Sequence, residues 1–525
     1  MRSPLPAWCH VQRGRSDLVL IAPHGGRRPL TDPAAPRERK VNDLHTADLT
    51  AKLAAALDAT AIINHGCDRN DLDLNRIGQI TRRAPWFLEL LLEELATILT
   101  RHARAQVLLI HGWNVCQPKC DLGVGGIEEP DGLHALGDAA LSVDVDYWRT
   151  RIATFRTATA TAGIRTSVGE RYPAAHRSNL LQAFTTRFAD SSNIHLRQLA
   201  QWARDGRLNS VQLELGIPVR WPGSLRCALH AAAITAFSGT PATATDWAPR
   251  SHRARGVAPL GFHFHDPAAG ITAFTSITPF SAATAGRLLL FLGGKEIALF
   301  TGEESGERES VGGLTYAIDG NDVTLHFEGY ATRLADADLY LDLEAALAAS
   351  VLAEIQLDLR YRPSGVANEH GARAGHFVGT VRVHDRSHVI NARGFCDPGI
   401  AMRGPGSHGA RTHLAASFDD QRAFNLRASD GVVPLRGLVI ANALTEREPT
   451  GELTIAHDSD PYTPRRFDLS LRDASAPIVA HPLARMPILR PLSDGAHARI
   501  TFGPARFEWD GRIGWGVYEY ARRVL

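Results

Sequence analysis

Short apolar runs spaced along the chain, with helical patterns between them, constrain the first 220 residues more than any other feature. The runs lie at 18–22, 61–63, 107–110 and 211–215, each short enough for a buried strand. Between them Asp48 to Leu57, Trp86 to Thr100 and Asp144 to Ala162 carry apolar residues at helical spacing. Helices that separate such strands imply crossover connections. Residues 16–220 therefore predict an α/β fold on a mixed, mostly parallel sheet covered on both faces. Alanine-rich Leu225 to Phe237 reads as the last helix of this unit. Sheets of this kind bind ligands beyond the carboxyl ends of their strands.

Polar groups stand where those strands end or are interrupted. His24 closes Leu18-Val-Leu-Ile-Ala-Pro-His24, and His111 closes Val107-Leu-Leu-Ile-His111. Glu214 interrupts Val211-Gln-Leu-Glu-Leu215, and Asp73-Leu-Asn75-Arg76 lies in a polar stretch between two of the strands. Imidazoles suit zinc, and hydrolytic zinc sites use three protein ligands with a fourth position for water. A carboxylate beside such a centre shuttles the proton to the leaving group. The planar fork of Arg76, with Asn75 as a directional donor, suits the anionic end of a substrate. The plainer alternatives are packed histidines, an arginine paired to Asp71 or Asp73, and Glu214 on a solvated edge face.

Bulk properties narrow the classes. The chain has 525 residues, so two or three domains are expected. A net charge of +1 gives no electrostatic reason to expect nucleic acid or an anionic membrane as partner. The start lacks a signal-peptide core, and no segment approaches 18 consecutive apolar residues, so a cytoplasmic protein is expected. The six cysteines fit reduced thiols, with Cys116 and Cys120 read as ordinary loop thiols for want of a second ligand pair nearby. Gly123-Val-Gly-Gly126 lacks the setting of a phosphate loop, and neither a Gly-x-Ser-x-Gly elbow nor His-Glu-x-x-His occurs.

Beyond a turn-rich break and the basic stretch Arg250 to Arg255, read as a solvated linker, the texture becomes β. Period-two patterning recurs at 323–327, 339–343, 353–361, 376–383 and 467–471. The expected organisation is a first domain over 1–240, a linker over 241–256, and two β-barrel halves over 257–390 and 391–525. His263 and His265, two apart on a strand, read as a solvent-facing pair.

Over about residues 15–235 the motifs together resemble the N-formylglutamate amidohydrolase family, which is similar in fold to zinc carboxypeptidases. The matching pieces are Ala22-Pro-His24-Gly-Gly26, Asp73-Leu-Asn-Arg76, Ile110-His-Gly112, Gly169-Glu-Arg171, Asn179 to Thr185 and Gln212-Leu-Glu-Leu215. The resemblance implies a phosphorylase/hydrolase-like sheet, with His24 and His111 as Zn2+ ligands. It makes Arg76, helped by Asn75, the anchor of a substrate carboxylate and Glu214 the general base and acid. Arg27 stands where the carboxypeptidase pattern has a glutamate ligand. Asp43 or His45 would then supply the third ligand, and Asp43 is favoured because the family often carries an aspartate before this helix. Ile110-His-Gly-Trp-Asn114 also departs from the family's Asp-x-His-Ser.

The β region, about 257–525, resembles the twin lipocalin-like fold of the AttH and hydroxyneurosporene synthase group. Gly394-Phe-Cys-Asp397-Pro-Gly399 and Gly514-Trp-Gly-Val-Tyr-Glu-Tyr520 carry this likeness. The His and Trp of that group's Gly-x-Arg-Asp-His-Ser-Trp-Gly are absent here. The expectation is thus a zinc-dependent amidohydrolase that cleaves an amide or N-acyl bond of a small acidic substrate, joined to a β-rich region. The alternative is a catalytically decayed binding protein whose β half holds an apolar ligand. Oligomeric state is left open.

Overall fold

The computed structural model describes residues 5–27, 40–238, 260–280, 283–306, 309–364, 367, 371–398, 411–419, 422–429, 432–441, 444–447, 449–472, 474, 476–492 and 496–524. These form two compact units, the second beginning at residue 260 among the described residues. The expected linker 241–256 and the run Arg250 to Arg255 lie outside them.

The first unit is α/β. Its strands are β1 (Cys9–Gln12), β2 (Leu18–Ala22), β3 (Thr60–Asn64), β4 (Ala105–Gly112), β5 (Lys119–Gly123), the hairpin β6 (Gly126–Glu129) and β7 (Gly132–Ala135), β8 (Arg165–Val168) and β9 (Leu208–Leu215). Seven of them make one sheet in the order β1-β3-β2-β4-β9-β5-β8. The run β3-β2-β4-β9 is parallel throughout, and β5 and β8 are parallel to each other. Antiparallel neighbours enter where β1 joins β3 and β5 joins β9. The continuous apolar runs follow from burial on both faces. Leu18, Leu20 and Ala22 pack against Leu49, Leu53 and Leu57 of α1 (Thr46–Leu57) and against the helix Ser224–Phe237. Val19 and Ile21, pointing the other way, pack against α3 (Pro85–Arg101), which follows the short α2 (Ile77–Arg83). The 144–162 helix is interrupted by a wide π-type turn at Trp148–Ile152.

Two expectations about this unit change. β9 is interior to the sheet, between β4 and β5, so Glu214 does not stand on a solvated edge face. Cys120 lies inside β5 rather than in a loop; Cys116 lies in the loop before it, and both are buried.

The second unit is largely β, in two curled sheets. The first contains β10 (Leu260–Asp266), β11 (Ile271–Pro279), β12 (Ala283–Phe291), β13 (Ile297–Ser305), β14 (Ser310–Val311), β15 (Leu314–Asp319), β16 (Asp322–Leu334), β17 (Val351–Pro363), β18 (Arg373–Val383) and β19 (Arg386–Cys396). Its order β13-β12-β11-β10-β19-β18-β17-β16 is closed into a ring by pairing of β13 with β16, which removes the edges of those eight strands. Alternation decides which side faces in: Ala353, Ile355, Leu357, Leu359 and Tyr361 of β17 are buried, whereas Glu354, Asp358 and Arg360 are exposed.

The second sheet holds β20 (Arg411–Ser417), β21 (Arg422–Ser429), β22 (Val432–Ala441), β23 (Leu444–Arg447), β24 (Gly451–His457), β25 (Pro464–Leu471), β26 (Ile478–Pro482), β27 (Met486–Pro491), β28 (His497–Trp509) and β29 (Arg512–Val524). Its order is β23-β22-β21-β20-β29-β28-β26-β25-β24 with β27 on β28, and among the described residues no pairing closes it.

The sequence expectation differs from this architecture at three places. The division at 390/391 falls inside β19, which is bonded to both β10 and β18 of the first sheet. Residues 339–343 are not a strand; a 3-10 turn at Ala337–Leu341 leads into a helix at Leu343–Ala349. The Asp342 carboxylate accepts hydrogen bonds from the Glu344 and Ala345 amides, and this N-cap outweighs the period-two pattern. His263 and His265 are both buried rather than solvent-facing.

Candidate metal centre

Because β2, β4 and β9 run parallel, their carboxyl ends open at one edge of the sheet. His24 lies two residues beyond β2, His111 is the penultimate residue of β4, and Glu214 is the penultimate residue of β9. His111 and Glu214 are direct register partners. The turn after β2 is drawn tight against the one after β3, where the Asn64 amide donates to the carbonyls of Pro23 and Cys67. A Cβ on Gly26 would lie 2.0 Å from the Cys67 carbonyl oxygen, so only glycine fits there. The Asp43 amide donates to the His24 carbonyl at 2.9 Å and thereby sets the carboxylate beside the ring.

Three donors converge there. Asp43 Oδ2 is 3.2 Å from His24 Nδ1 and 3.2 Å from His111 Nδ1. The two imidazole centroids are 4.8 Å apart, and all three residues are buried. A four-coordinate zinc with bonds of about 2.0–2.1 Å sets its ligand atoms about 3.3 Å apart. The two distances from Asp43 match that edge, and all three ligand atoms lie within 4.8 Å of one another.

Hydrogen-bond inventory supports the same reading. His24 Nε2 is 2.7 Å from Asp73 Oδ1. Burial works to raise Asp73, but the His24 contact, Arg69 and the Asn75 amide outweigh it and hold its carboxyl far below the ordinary range. The carboxylate accepts, so His24 carries its proton on Nε2, and in the neutral ring Nδ1 is a lone pair aimed at Asp43. Asp43 is likewise held well below the ordinary range, since His24, His111 and Arg69 together overcome its burial. With the His24 ring neutral, the form that binds a metal, two acceptors face each other at 3.2 Å. His111 Nε2 is buried with no hydrogen-bond partner, and burial lowers that ring to about 4. A cation among His24 Nδ1, His111 Nδ1 and Asp43 Oδ2 would relieve the facing acceptors, while His111 Nε2 lies on the far side of its ring. The residues fit a metal.

Arg69 Nη1 reaches Asp43 Oδ1 at 3.2 Å, leaving Oδ2 to the imidazoles. His45 is not in the cluster. It takes a left-handed φ of 69° before α1, and its ring lies 5.4 Å from that of Trp221. Of the two residues open for a third ligand, the structure brings Asp43 to the histidines.

Glu214 is buried and accepts a hydrogen bond from Gln212 Nε2 at 2.8 Å. Burial first, then the nearby Asp43 charge, push its carboxyl well above the usual range. Asp121, its register partner on β5, holds the 169–172 turn by accepting from Ser167 Oγ and the amides of Arg171 and Tyr172.

Arg76 lies at the rim with its side chain 39% exposed. Its Nη1 donates to Ser178 Oγ at 2.9 Å, and its Nε is 3.6 Å from Asp73 Oδ2. The ion pair anticipated as the plainer alternative is present but long. Asn75 does not open outward: it is buried, and its Oδ1 accepts from the Leu180 amide at 3.2 Å, which fixes the 179–185 loop.

Sequence reasoning missed several supports. Asp73 was legible only as part of the Asn75–Arg76 motif, yet it orients His24. The fully buried Arg220 ties the site's edge together by donating to the carbonyls of Leu44, Trp113 and Leu215 and to the Asn114 side chain. A Cβ on Gly112 would come within 2.9 Å of that guanidinium. No sequence motif announces Arg220.

A second buried grouping, His263, Asp397 and His413, lies in the β unit. Arg427 Nη2 donates to both oxygens of Asp397 at 2.7 and 2.8 Å, and Asn425 Nδ2 donates to Oδ2 at 3.1 Å. The guanidinium already neutralises the carboxylate, so this donor set does not suit a cation. His263 and His413 reach Asp397 from β10 and β20.

The chain belongs to the family described as "Domain of unknown function (DUF7064)", whose model matches residues 260–524. No curated protein matches it. Solved structures similar to parts of it include N-formylglutamate amidohydrolase from Ralstonia eutropha JMP134, at 13% identity and TM-score 0.29, covering 43% of this chain and 94% of that one. Kievitone hydratase from Nectria haematococca is similar at 10% identity and TM-score 0.30, covering 50% and 88%. A gene product from Agrobacterium tumefaciens is similar at 12% identity and TM-score 0.28, covering 43% and 88%. Likeness at these scores carries no argument about chemistry, which rests on the site itself. Among the described residues no helix is long and apolar enough to cross a membrane.

Proposed function

We propose that the α/β unit is a zinc-dependent hydrolase that cleaves an amide or N-acyl bond of a small, carboxylate-bearing substrate. The observation that carries this reading is the convergence of His24, Asp43 and His111, with Glu214 across the strand pair from His111. Zinc bound there supplies an activated water and polarises the scissile carbonyl. Asp73 fixes the His24 tautomer so that its lone pair points inward. Gln212 occupies Glu214 Oε1, which leaves Oε2 to take a proton and pass it to the leaving nitrogen. Arg76, open at the rim, pairs with the substrate's carboxylate, and Asn75 acts indirectly by holding the neighbouring loop.

Arg27, standing where a glutamate ligand is expected, would favour a decayed site. With Asp43 as the third ligand from a different segment, Arg27 no longer favours that alternative. The test is hydrolysis of a panel of N-acyl aspartates and glutamates against N-acyl alanines and lysines. Cleavage of acidic members, abolished by chelation and restored by zinc, is the expected result. Inertness of the zinc-loaded protein toward the whole panel counts against this reading.

A further inference from the structure

A cavity of about 160 Å³ lies between the two sheets of the β unit. Apolar side chains make most of its wall, among them Phe274, Leu289, Leu299, Ile488, Ile500 and Phe502. Three guanidinium groups, those of Arg287, Arg411 and Arg490, also line it, and Glu519 is the sole carboxylate among its described lining residues. Glu519 is engaged already, since Arg411 Nη2 lies 2.9 Å from its Oε1.

Arg287 is different. It extends from β12 with no ion pair or side-chain hydrogen bond among the described residues. Its side chain is exposed and lines the cavity, and the surrounding protein lowers its guanidinium below the ordinary arginine value. A guanidinium beside apolar walls, with no carboxylate of its own among the described residues, offers its donors to an anionic group that enters the cavity. Arg411 has Glu519 as its counter-ion, and Arg287 has none among the described residues.

We propose that this cavity binds an amphipathic anion, an apolar body bearing one carboxylate or phosphate head, with the head seated on Arg287 and the body against the Phe274 and Phe502 side. The planar fork of arginine matches both head groups, and the aromatic and aliphatic wall rewards an apolar body but discriminates little among shapes. This differs from a purely apolar ligand, which would leave the guanidinium unpaired. It is also independent of the metal centre, because every residue named lies in the other unit.

Calorimetric titration of the full chain with decanoate, decyl phosphate and 1-decanol tests it. One or both anions should bind at least about tenfold more tightly than the alcohol, the discrimination expected of a charge-assisted hydrogen bond. Arg287→Gln should lose that advantage and Arg287→Lys should retain part of it, with decanol unaffected by either. Equal binding of all three ligands, no binding by any, or unchanged anion affinity in a folded Arg287→Gln protein overturns the proposal. Should Arg287→Gln fail to fold, the comparison of head groups on the wild-type chain still decides.

Discussion

Asp73 Oδ1 lies 2.7 Å from Nε2 of His24, and this contact settles which nitrogen of the buried ring is available to a metal. The carboxylate can only accept, so the proton is on Nε2 and the lone pair on Nδ1 turns toward Asp43 and His111. Asp73→Asn keeps the shape but removes the charge that favours this tautomer. Zinc affinity, read by competition with a chromophoric chelator, should fall about 10- to 100-fold. An unchanged affinity would mean that Asp73 does no more than pack.

Glu214→Gln tests the proton shuttle separately from the metal. Turnover on the best acidic substrate should fall by about 10²- to 10⁴-fold, with zinc content unchanged. A variant that turns over at the wild-type rate removes Glu214 from the chemistry.

Arg76 sits at the rim, exposed and only loosely paired with Asp73, so its expected contribution is to binding. Arg76→Ala should raise KM for an acidic substrate by about tenfold or more and leave kcat within about threefold. A fall in kcat at constant KM would place the guanidinium against the reacting group instead.

How far the sequence leads is clearest residue by residue. The runs ending at His24 and His111 were legible because a strand buried on both faces is continuously apolar, and a polar group at its end stands out. β5 was not legible. Lys119-Cys-Asp-Leu-Gly123 looks like loop, yet all five residues are buried, and Asp121 is paid for by the hydroxyl and amides it accepts from. The ring closure of β13 on β16 is a long-range register that no local pattern encodes. Asp397 illustrates the same limit: its histidine and arginine neighbours come from β10, β20 and β21, so the local sequence around it carries only a degraded signature.

The glycine at position 26 gives a check on the fold that needs no substrate. Its Cβ position coincides with the Cys67 carbonyl, and backbone cannot move aside as a side-chain tip can. Gly26→Ala should cost about 2 kcal/mol or more in stability, read as a lowered urea midpoint, and should loosen the His24 turn enough to weaken zinc binding as well. A midpoint equal to wild type would contradict the close approach of the two turns.

Metal stoichiometry tests the central claim most directly. The full chain, purified without chelators and analysed by inductively coupled plasma mass spectrometry, should carry about one zinc per chain. His24→Ala, Asp43→Ala and His111→Ala should each lose it, and Glu214→Gln should not. Metal-free wild-type protein that takes up no zinc on titration, or zinc retained through all three ligand substitutions, would contradict the account.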